Sequence, residues 1–159
     1  MVKVLFVCLG NICRSPTAEG VLRKFVEDEG LSDKIYVESA GTSSHHQGET
    51  AHPVSIETAA KRGYKLDSLS QPFQTEHFKQ FDWIVTMDQS NYRNVMAQAK
   101  SEEDEKRVIP FSHLCIENSI THVPDPYYEG DDGFEIVLDI VEDGCRGLID
   151  RIKDQFNAN

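Results

Sequence analysis

The sequence predicts a three-layer α/β/α fold in which four parallel strands are flanked by helices. Short runs rich in β-branched residues alternate along the chain with segments whose apolar residues recur at helical spacing. The first run, Val2–Cys8, is almost continuously apolar, which is typical of a strand buried on both faces of a parallel sheet. A length of 159 residues suits one domain, so we expect residues 1–159 to form a single unit.

The remaining elements follow in regular alternation. A first helix is expected to begin near Arg14, with Ser15 as its N-cap residue and Gly30 at its end. The acidic run 102–105 is expected to be a solvated connection. Three further strands are predicted at residues 35–40, 81–87 and 107–109. Further helical segments are predicted at residues 53–62, 75–80 and 88–99, and one long helix follows Asp132.

Composition argues against several function classes. A net charge of −11 disfavours a nucleic-acid partner, because nucleic-acid binders carry basic patches. The apolar segment that ends at Cys8 is too short for a signal peptide, and no apolar run approaches the about 20 residues of a membrane span, so we expect a cytoplasmic protein without a membrane partner. Cys8, Cys13, Cys115 and Cys145 form no C-x-x-C pair, which fits reduced thiols. Of these, Cys115 and Cys145 are expected to be structural.

The most informative stretch is the loop after the first strand, where the pattern C-x5-R-S lies between a strand and a helix. A thiolate is the nucleophilic form of cysteine, and both a helix N-terminus and a nearby cation favour it. The loop amides can surround a tetrahedral anion, and a guanidinium can bind two of its oxygens. We interpret the stretch as an anion-binding nucleophile site with Cys8 as nucleophile. The candidate phosphate-binding residues are Leu9, Gly10, Asn11, Ile12, Cys13, Arg14 and Ser15.

A proton donor is required if this thiolate displaces a phosphate ester, because the leaving group departs as an alkoxide or phenolate. Asp125 is the best candidate, since Pro124 and Pro126 stiffen the loop that presents it. Tyr127 and Tyr128 follow directly and are placed to wall a pocket for an aryl ring. Taken alone, this segment fits a rigid turn before a helix better, so the catalytic interpretation depends on the first loop.

Together, the two motifs resemble those of the low-molecular-weight protein tyrosine phosphatases. They are C-L-G-N-I-C-R-S-P at 8–16 and D-P-Y-Y at 125–128, and the resemblance extends over essentially the whole chain. It implies that Cys8 attacks phosphorus and becomes phosphocysteine, while Arg14 and the loop amides hold the equatorial oxygens. It also implies that Asp125 protonates the leaving tyrosine and then activates water, without a metal or other cofactor.

The resemblance further implies supporting roles and partners. Asn11 is expected to hold the loop with Ser39 as its partner, and Ser15 is expected to stabilise the thiolate. The expected partners are tyrosine-phosphorylated proteins, with a cognate tyrosine kinase as a further candidate, and the chain is expected to be a monomer or a weak dimer. The expected residues of the substrate pocket are Leu9, His45, Asp88, Tyr127 and Tyr128.

Two departures from the family pattern concern the substrate and the loop. The family often has an aromatic residue that sets specificity after the second strand, and His45 occupies that position here. Members often carry a histidine and an arginine where this chain has S-L-S-Q at 68–71, which leaves part of the loop support unassigned. His45, His46 and His52 match no zinc signature, so we interpret them as members of a solvated polar loop.

Several alternatives share the same loop. Cys13 is either a redox partner that forms a reversible disulfide with Cys8 or a small packed residue, and the sequence favours neither. An arsenate reductase would need further cysteines near residues 70–90, where the sequence has none. Protein-arginine phosphatases of this family tend to have threonine where this chain has Ile12. A non-catalytic phosphate-binding module would require neither Cys8 nor Asp125.

Overall fold

The structure is a computed structural model that describes residues 1–117, 119–126 and 132–158. It contains a four-stranded parallel sheet in the order β2-β1-β3-β4, which confirms the predicted fold class. Cys8 pairs in register with Gly41, and Val7 pairs with both Ala40 and Thr86, so the carboxyl ends of the strands meet at one edge. The strands are β1 Val2–Cys8, β2 Ile35–Gly41, β3 Trp83–Thr86 and β4 Val108–Pro110.

Helices cover both faces of this sheet, which explains why the first strand is apolar from Val4 to Cys8. Val4 and Phe6 pack into one core cluster with helices α1 and α6, whereas Leu5 and Val7 pack into the opposite cluster with α3 and α4. In the described residues, no helix is both long and apolar enough to cross a membrane. The helices are α1 Arg14–Asp28, α2 Pro53–Ala60, α3 His77–Gln80, α4 Gln89–Met96, α5 Glu102–Lys106 and α6 Gly133–Ala158, with a 3-10 turn at Phe111–Leu114.

Two local predictions are wrong. Ser15 is not the N-cap of α1, because Cys13 takes that position without a side-chain cap bond and the Ser15 hydroxyl turns toward Cys8. The acidic run is not a plain connection but helix α5, where Ser101 Oγ accepts a hydrogen bond from the Asp104 N–H at 3.2 Å. Acidic residues in a first helical turn interact favourably with the helix dipole, which favours a helix here.

Candidate active site

A cavity of about 280 Å³ opens at the carboxyl edge of the sheet. It brings together Cys8 from the end of β1, Arg14 from the start of α1 and Asp125 from the segment before α6. Ligands in parallel α/β sheets bind at this edge, where the strand order reverses. The lining residues are Cys8, Leu9, Gly10, Ile12, Cys13, Arg14, Ser43, His45, His46 and Asp125.

The sulfur of Cys8 lies at the bottom of this cavity and is almost fully buried. Its Sγ atom accepts a hydrogen bond from the Asn11 N–H at 3.2 Å, and it lies 3.0 Å from Ser15 Oγ. Asn11 has a φ of 57°, and this left-handed turn folds the loop back over the sulfur. Successive backbone N–H groups in such a turn form a concave anion-binding surface.

Arg14 is 5% exposed and is held from behind by a second carboxylate. Its Nη1 donates to Asp88 Oδ2 at 2.7 Å and to the Val123 carbonyl at 3.1 Å. Burial alone would lower the pKa of Arg14, but Cys8 and the hydrogen-bonded Asp88 outweigh it, and the pKa of the guanidinium is raised. Arg14 therefore carries a permanent positive charge beside the thiol.

Asp88 was predicted to wall the pocket, but the structure places it behind Arg14 rather than among the lining residues. Its Oδ2 binds Arg14, while its Oδ1 accepts from the Asn91 N–H at 2.8 Å and caps helix α4. One carboxylate therefore fixes both a helix and the guanidinium of Arg14.

Asp125 lies on the other side of the cavity and is half-buried. Its charge acts on both Cys13 and Arg14, so it lies within electrostatic reach of the loop. The segment that carries it is anchored at Val123, whose N–H donates to the Met87 carbonyl at 2.8 Å. The predicted pocket residues Tyr127 and Tyr128 lie outside the described residues.

The loop is supported by the predicted pair and by two residues that the sequence did not single out. Asn11 Nδ2 donates to Ser39 Oγ at 2.9 Å and to Ser15 Oγ at 2.8 Å. The Ser70 hydroxyl donates to the Gly10 carbonyl at 2.9 Å, and the Gln71 N–H donates to Asn11 Oδ1 at 3.0 Å. The stretch 68–71, which departs from the family pattern, thus holds the loop through a serine hydroxyl and a backbone N–H.

Two histidines line the mouth of the cavity, although only His45 was predicted there. His46 packs over Gly10, where an added Cβ would lie 3.0 Å from the histidine Cδ2 atom. Its Nδ1 is 2.7 Å from Glu49 Oε2, and its ring lies 4.8 Å from that of His45. Within the described ranges, no group of three or more His, Cys, Asp or Glu side chains is placed to hold a metal ion.

The second cysteine of the loop has a different environment from the first. Burial raises the pKa of the Cys13 thiol to about 12, the negative charge of Cys8 adds to this, and a hydrogen bond with Ser55 opposes it. All four cysteines are free thiols in the structure. Cys145 is fully buried in the core beside α1, where its thiol lies 3.7 Å from the Ala18 carbonyl oxygen.

A parallel α/β sheet that holds a thiol and an arginine around one anion-sized loop is typical of cysteine-dependent phosphatases. Comparison with known proteins identifies the particular family. A family model described as low molecular weight phosphotyrosine protein phosphatase matches residues 3–158. The chain belongs to this family and is an enzyme of the protein-tyrosine-phosphatase class.

Relatives with similar length and fold support this membership. A low molecular weight protein-tyrosine-phosphatase of Streptomyces coelicolor is 40% identical over 158 residues, which cover 98% of this chain and 96% of that protein. A protein tyrosine phosphatase of Entamoeba histolytica, solved with Hepes in its active site, superposes with a TM-score of 0.94 at 40% identity, covering 98% and 99% of the two chains. A Drosophila arginine phosphatase superposes with a TM-score of 0.87 at 28% identity, covering 96% and 98%. The fold alone therefore does not select tyrosine over arginine substrates.

Proposed function

We propose that this enzyme hydrolyses phosphotyrosine in proteins through a phosphocysteine intermediate. The observation that carries the proposal is the convergence of Cys8, Arg14 and Asp125 on one cavity. In the first step the Cys8 thiolate attacks phosphorus, so an S–P bond forms as the bond from phosphorus to the tyrosine oxygen breaks. Asp125 gives its proton to that oxygen, and the product leaves as neutral tyrosine.

The second step returns the enzyme to its starting state. The Asp125 carboxylate takes a proton from water, and the resulting oxygen attacks the phosphorus of phosphocysteine. The S–P bond breaks, inorganic phosphate leaves and the thiolate of Cys8 is restored. In both steps Arg14 and the loop amides face the equatorial oxygens, where negative charge is concentrated in the transition state.

The lining of the cavity supports an aryl phosphate as substrate. Leu9 is 52% exposed at the rim, and Ile12 also lines the cavity, so two apolar side chains can contact a ring. The imidazole of His45 occupies the position where the family often has an aromatic residue, and it can stack on the same ring. Ile12 also replaces the threonine found in protein-arginine phosphatases, which favours phosphotyrosine over phosphoarginine.

The cellular setting follows from the chemistry of the thiol. A reducing compartment keeps cysteines such as Cys8 and Cys13 as free thiols, which supports a cytoplasmic enzyme. We propose that residues 1–159 act as one catalytic unit, a monomer or weak dimer, on tyrosine-phosphorylated proteins that include a cognate tyrosine kinase. If the loop is oxidised, the expected product is a disulfide between Cys8 and Cys13.

The proposal is tested with three peptides of one sequence that carry phosphotyrosine, phosphoserine or phosphoarginine. Purified enzyme is incubated with each in the presence of a chelator, and release of phosphate is measured. We expect rapid release from the phosphotyrosine peptide and none with the Cys8→Ser variant. Faster release of phosphate from the phosphoarginine peptide would show that phosphotyrosine is not the preferred substrate. Turnover by Cys8→Ser would refute the mechanism.

A further inference from the structure

Glu19 is a buried carboxyl group that the catalytic scheme does not use. It lies in helix α1, is 4% exposed and borders a groove of about 460 Å³ beside strand β2, which is separate from the catalytic cavity. Its Oε1 accepts a hydrogen bond from Ser39 Oγ at 2.5 Å, and its Oε2 accepts one from Arg23 Nη2. A buried carboxylate is costly unless it is paired, so a paired one next to the loop's own support is a candidate for a function.

A continuous chain of hydrogen bonds joins this carboxyl group to the nucleophile. The Ser39 hydroxyl donates to Glu19, so its oxygen lone pairs accept from Asn11 Nδ2 at 2.9 Å. The second N–H of Asn11 Nδ2 donates to Ser15 Oγ at 2.8 Å. The hydroxyl proton of Ser15 can then point at Cys8 Sγ, 3.0 Å away, which is closer than the Ala40 carbonyl at 3.4 Å.

The direction of this chain is fixed at Asn11 and at Glu19. The Gln71 backbone N–H can only donate, and it binds Asn11 Oδ1 at 3.0 Å, so the amide nitrogen of Asn11 must face the two serines. An ionised Glu19 can only accept, so it holds the Ser39 proton away from Asn11. In this chain the stretch 68–71 contributes no cation, and Arg23 is the cation that contacts the carboxylate.

We propose that Glu19 is a positioning residue for Cys8, which acts through the Ser39 hydroxyl to keep Asn11 and Ser15 as donors around the thiolate. The inference rests on the proposed function only in taking Cys8 as the nucleophile. Glu19 is not among the residues that line the cavity at Cys8. Its effect is therefore on the loop and on the ionisation of the thiol, not on the choice of substrate.

Some neighbours of Glu19 favour its ionised form, and other features of its surroundings oppose it. Burial raises its pKa most strongly, the hydrogen bonds from Ser39 and Arg23 lower it, and the charge of Glu38 on β2 raises it. Beyond Arg23 lies Asp67, whose Oδ1 accepts from Arg23 Nη1 at 3.1 Å. The pKa of Glu19 is raised overall, so Glu19 takes up a proton at higher pH than an exposed glutamate. Protonation of the oxygen that faces Ser39 turns it into a donor, so the hydrogen bonds between Glu19 and Cys8 no longer all point the same way.

The test measures alkylation of Cys8 by iodoacetamide as a function of pH, with peptide mass spectrometry to identify the labelled cysteine. Glu19→Gln and Ser39→Ala are compared with Asp67→Asn, which removes a charge whose hydrogen bond is to Arg23 rather than to Ser39. We expect the first two variants to shift the midpoint of alkylation to higher pH and to lower kcat/KM for an aryl phosphate by about 3- to 10-fold, the value of one hydrogen bond. Asp67→Asn should leave both unchanged.

A double variant shows whether Glu19 acts through Ser39. Glu19→Gln in the Ser39→Ala background should add nothing to the effect of Ser39→Ala alone. Additive effects, or an equal shift in Asp67→Asn, would overturn the proposal. So would an unchanged midpoint in a Glu19→Gln protein that melts cooperatively. If Glu19→Gln does not fold, Glu19→Met is measured in its place, and the same shift in the alkylation midpoint and the same fall in kcat/KM are expected. Alkylation needs no phosphorylated substrate, so its result is independent of whether phosphotyrosine is the substrate.

Discussion

The two sides of the candidate active site present different groups: the loop of residues 8–15 presents a thiol and a guanidinium, whereas the opposite side presents the carboxyl group of Asp125. The loop of residues 8–15 is tied to other segments along its length: Ser43 N–H donates to the Leu9 carbonyl at 2.9 Å, and His52 N–H donates to the Ile12 carbonyl at 2.7 Å. Support from the Ser39 and Gln71 regions comes in addition. The segment that carries Asp125 is anchored at its start, where Val123 contacts both Met87 and Arg14.

This difference matches the chemistry that we propose for each side. Charge stabilisation is effective when the donors are in place before the charge develops, because no reorganisation then accompanies the reaction. Proton transfer requires one carboxyl group within reach of the leaving oxygen. We therefore expect changes in the loop to slow every substrate, and changes at Asp125 to depend on the leaving group.

The largest effect among conservative variants is expected for Arg14→Lys. Lysine keeps the charge but loses the planar fork, so kcat should fall by about 10²- to 10³-fold for all aryl phosphates. Arg93→Lys, an exposed change on α4, is the matched control and should behave like the wild type. Steady-state kinetics are measured with a good and a poor leaving group. A fall in kcat that depends on the leaving group would contradict a role of Arg14 in binding phosphate.

A smaller and more selective effect is expected for Asp125→Asn. An asparagine cannot donate the proton, so kcat for phosphotyrosine should fall by about 10²-fold, whereas esters of acidic phenols should be affected less. Asp132→Asn, at an exposed position before α6, is the control. If both ester types slow equally, Asp125 acts in some way other than as the general acid.

Crowding of the loop is expected to have a moderate effect. A Cβ added at Gly41 would lie 2.8 Å from the Leu9 carbonyl oxygen and 3.1 Å from the Asn11 nitrogen, so Gly41→Ala should displace the loop and lower kcat/KM by about 10-fold. Gly63→Ala is a useful contrast because Gly63 has a φ of 86° and an added Cβ there would have open space. It should lower the melting temperature and leave kcat/KM unchanged. Full activity of Gly41→Ala would show that the loop tolerates displacement.

The two cysteines of the loop should differ in their response to pH. Because burial raises the pKa of Cys13 to about 12, this residue stays a protonated thiol at neutral pH and gains its reactive thiolate only as the pH approaches that value. Brief iodoacetamide treatment at pH 7 should therefore label Cys8 and leave Cys13 unlabelled, with Cys13 labelling rising in alkaline buffer. Peptide mapping that finds equal labelling at pH 7 would contradict the difference between the two sites.

The sequence was sufficient to predict the sheet, because runs such as Val2–Cys8 are apolar at almost every position. It was also sufficient to name Cys8, Arg14 and Asp125 as candidates, since the motifs around them are short and local. It was not sufficient to place the Ser15 hydroxyl, which suits a helix cap and a thiol equally well. The choice between the two depends on the left-handed turn at Asn11, a three-dimensional feature.

Contacts between distant segments were the other part that the sequence could not supply. Gln71 and Asn11 are sixty residues apart, and only the closed fold places the backbone N–H of one on the side chain of the other. The family resemblance assigned Asp88 to the pocket, but the fold places it behind Arg14. His46 carried no signal that distinguished it from its neighbours in a polar loop.

The most direct test of the mechanism is to trap the phosphoenzyme. Asp125→Asn, which should slow hydrolysis of the intermediate, is mixed with an activated aryl phosphate and quenched in acid within the first turnover. Peptide mass spectrometry should then find one phosphoryl group on Cys8, and the same experiment with Cys8→Ser should find none. Release of the phenol together with inorganic phosphate, without phosphorylated Cys8 at any quench time, would contradict the phosphocysteine route.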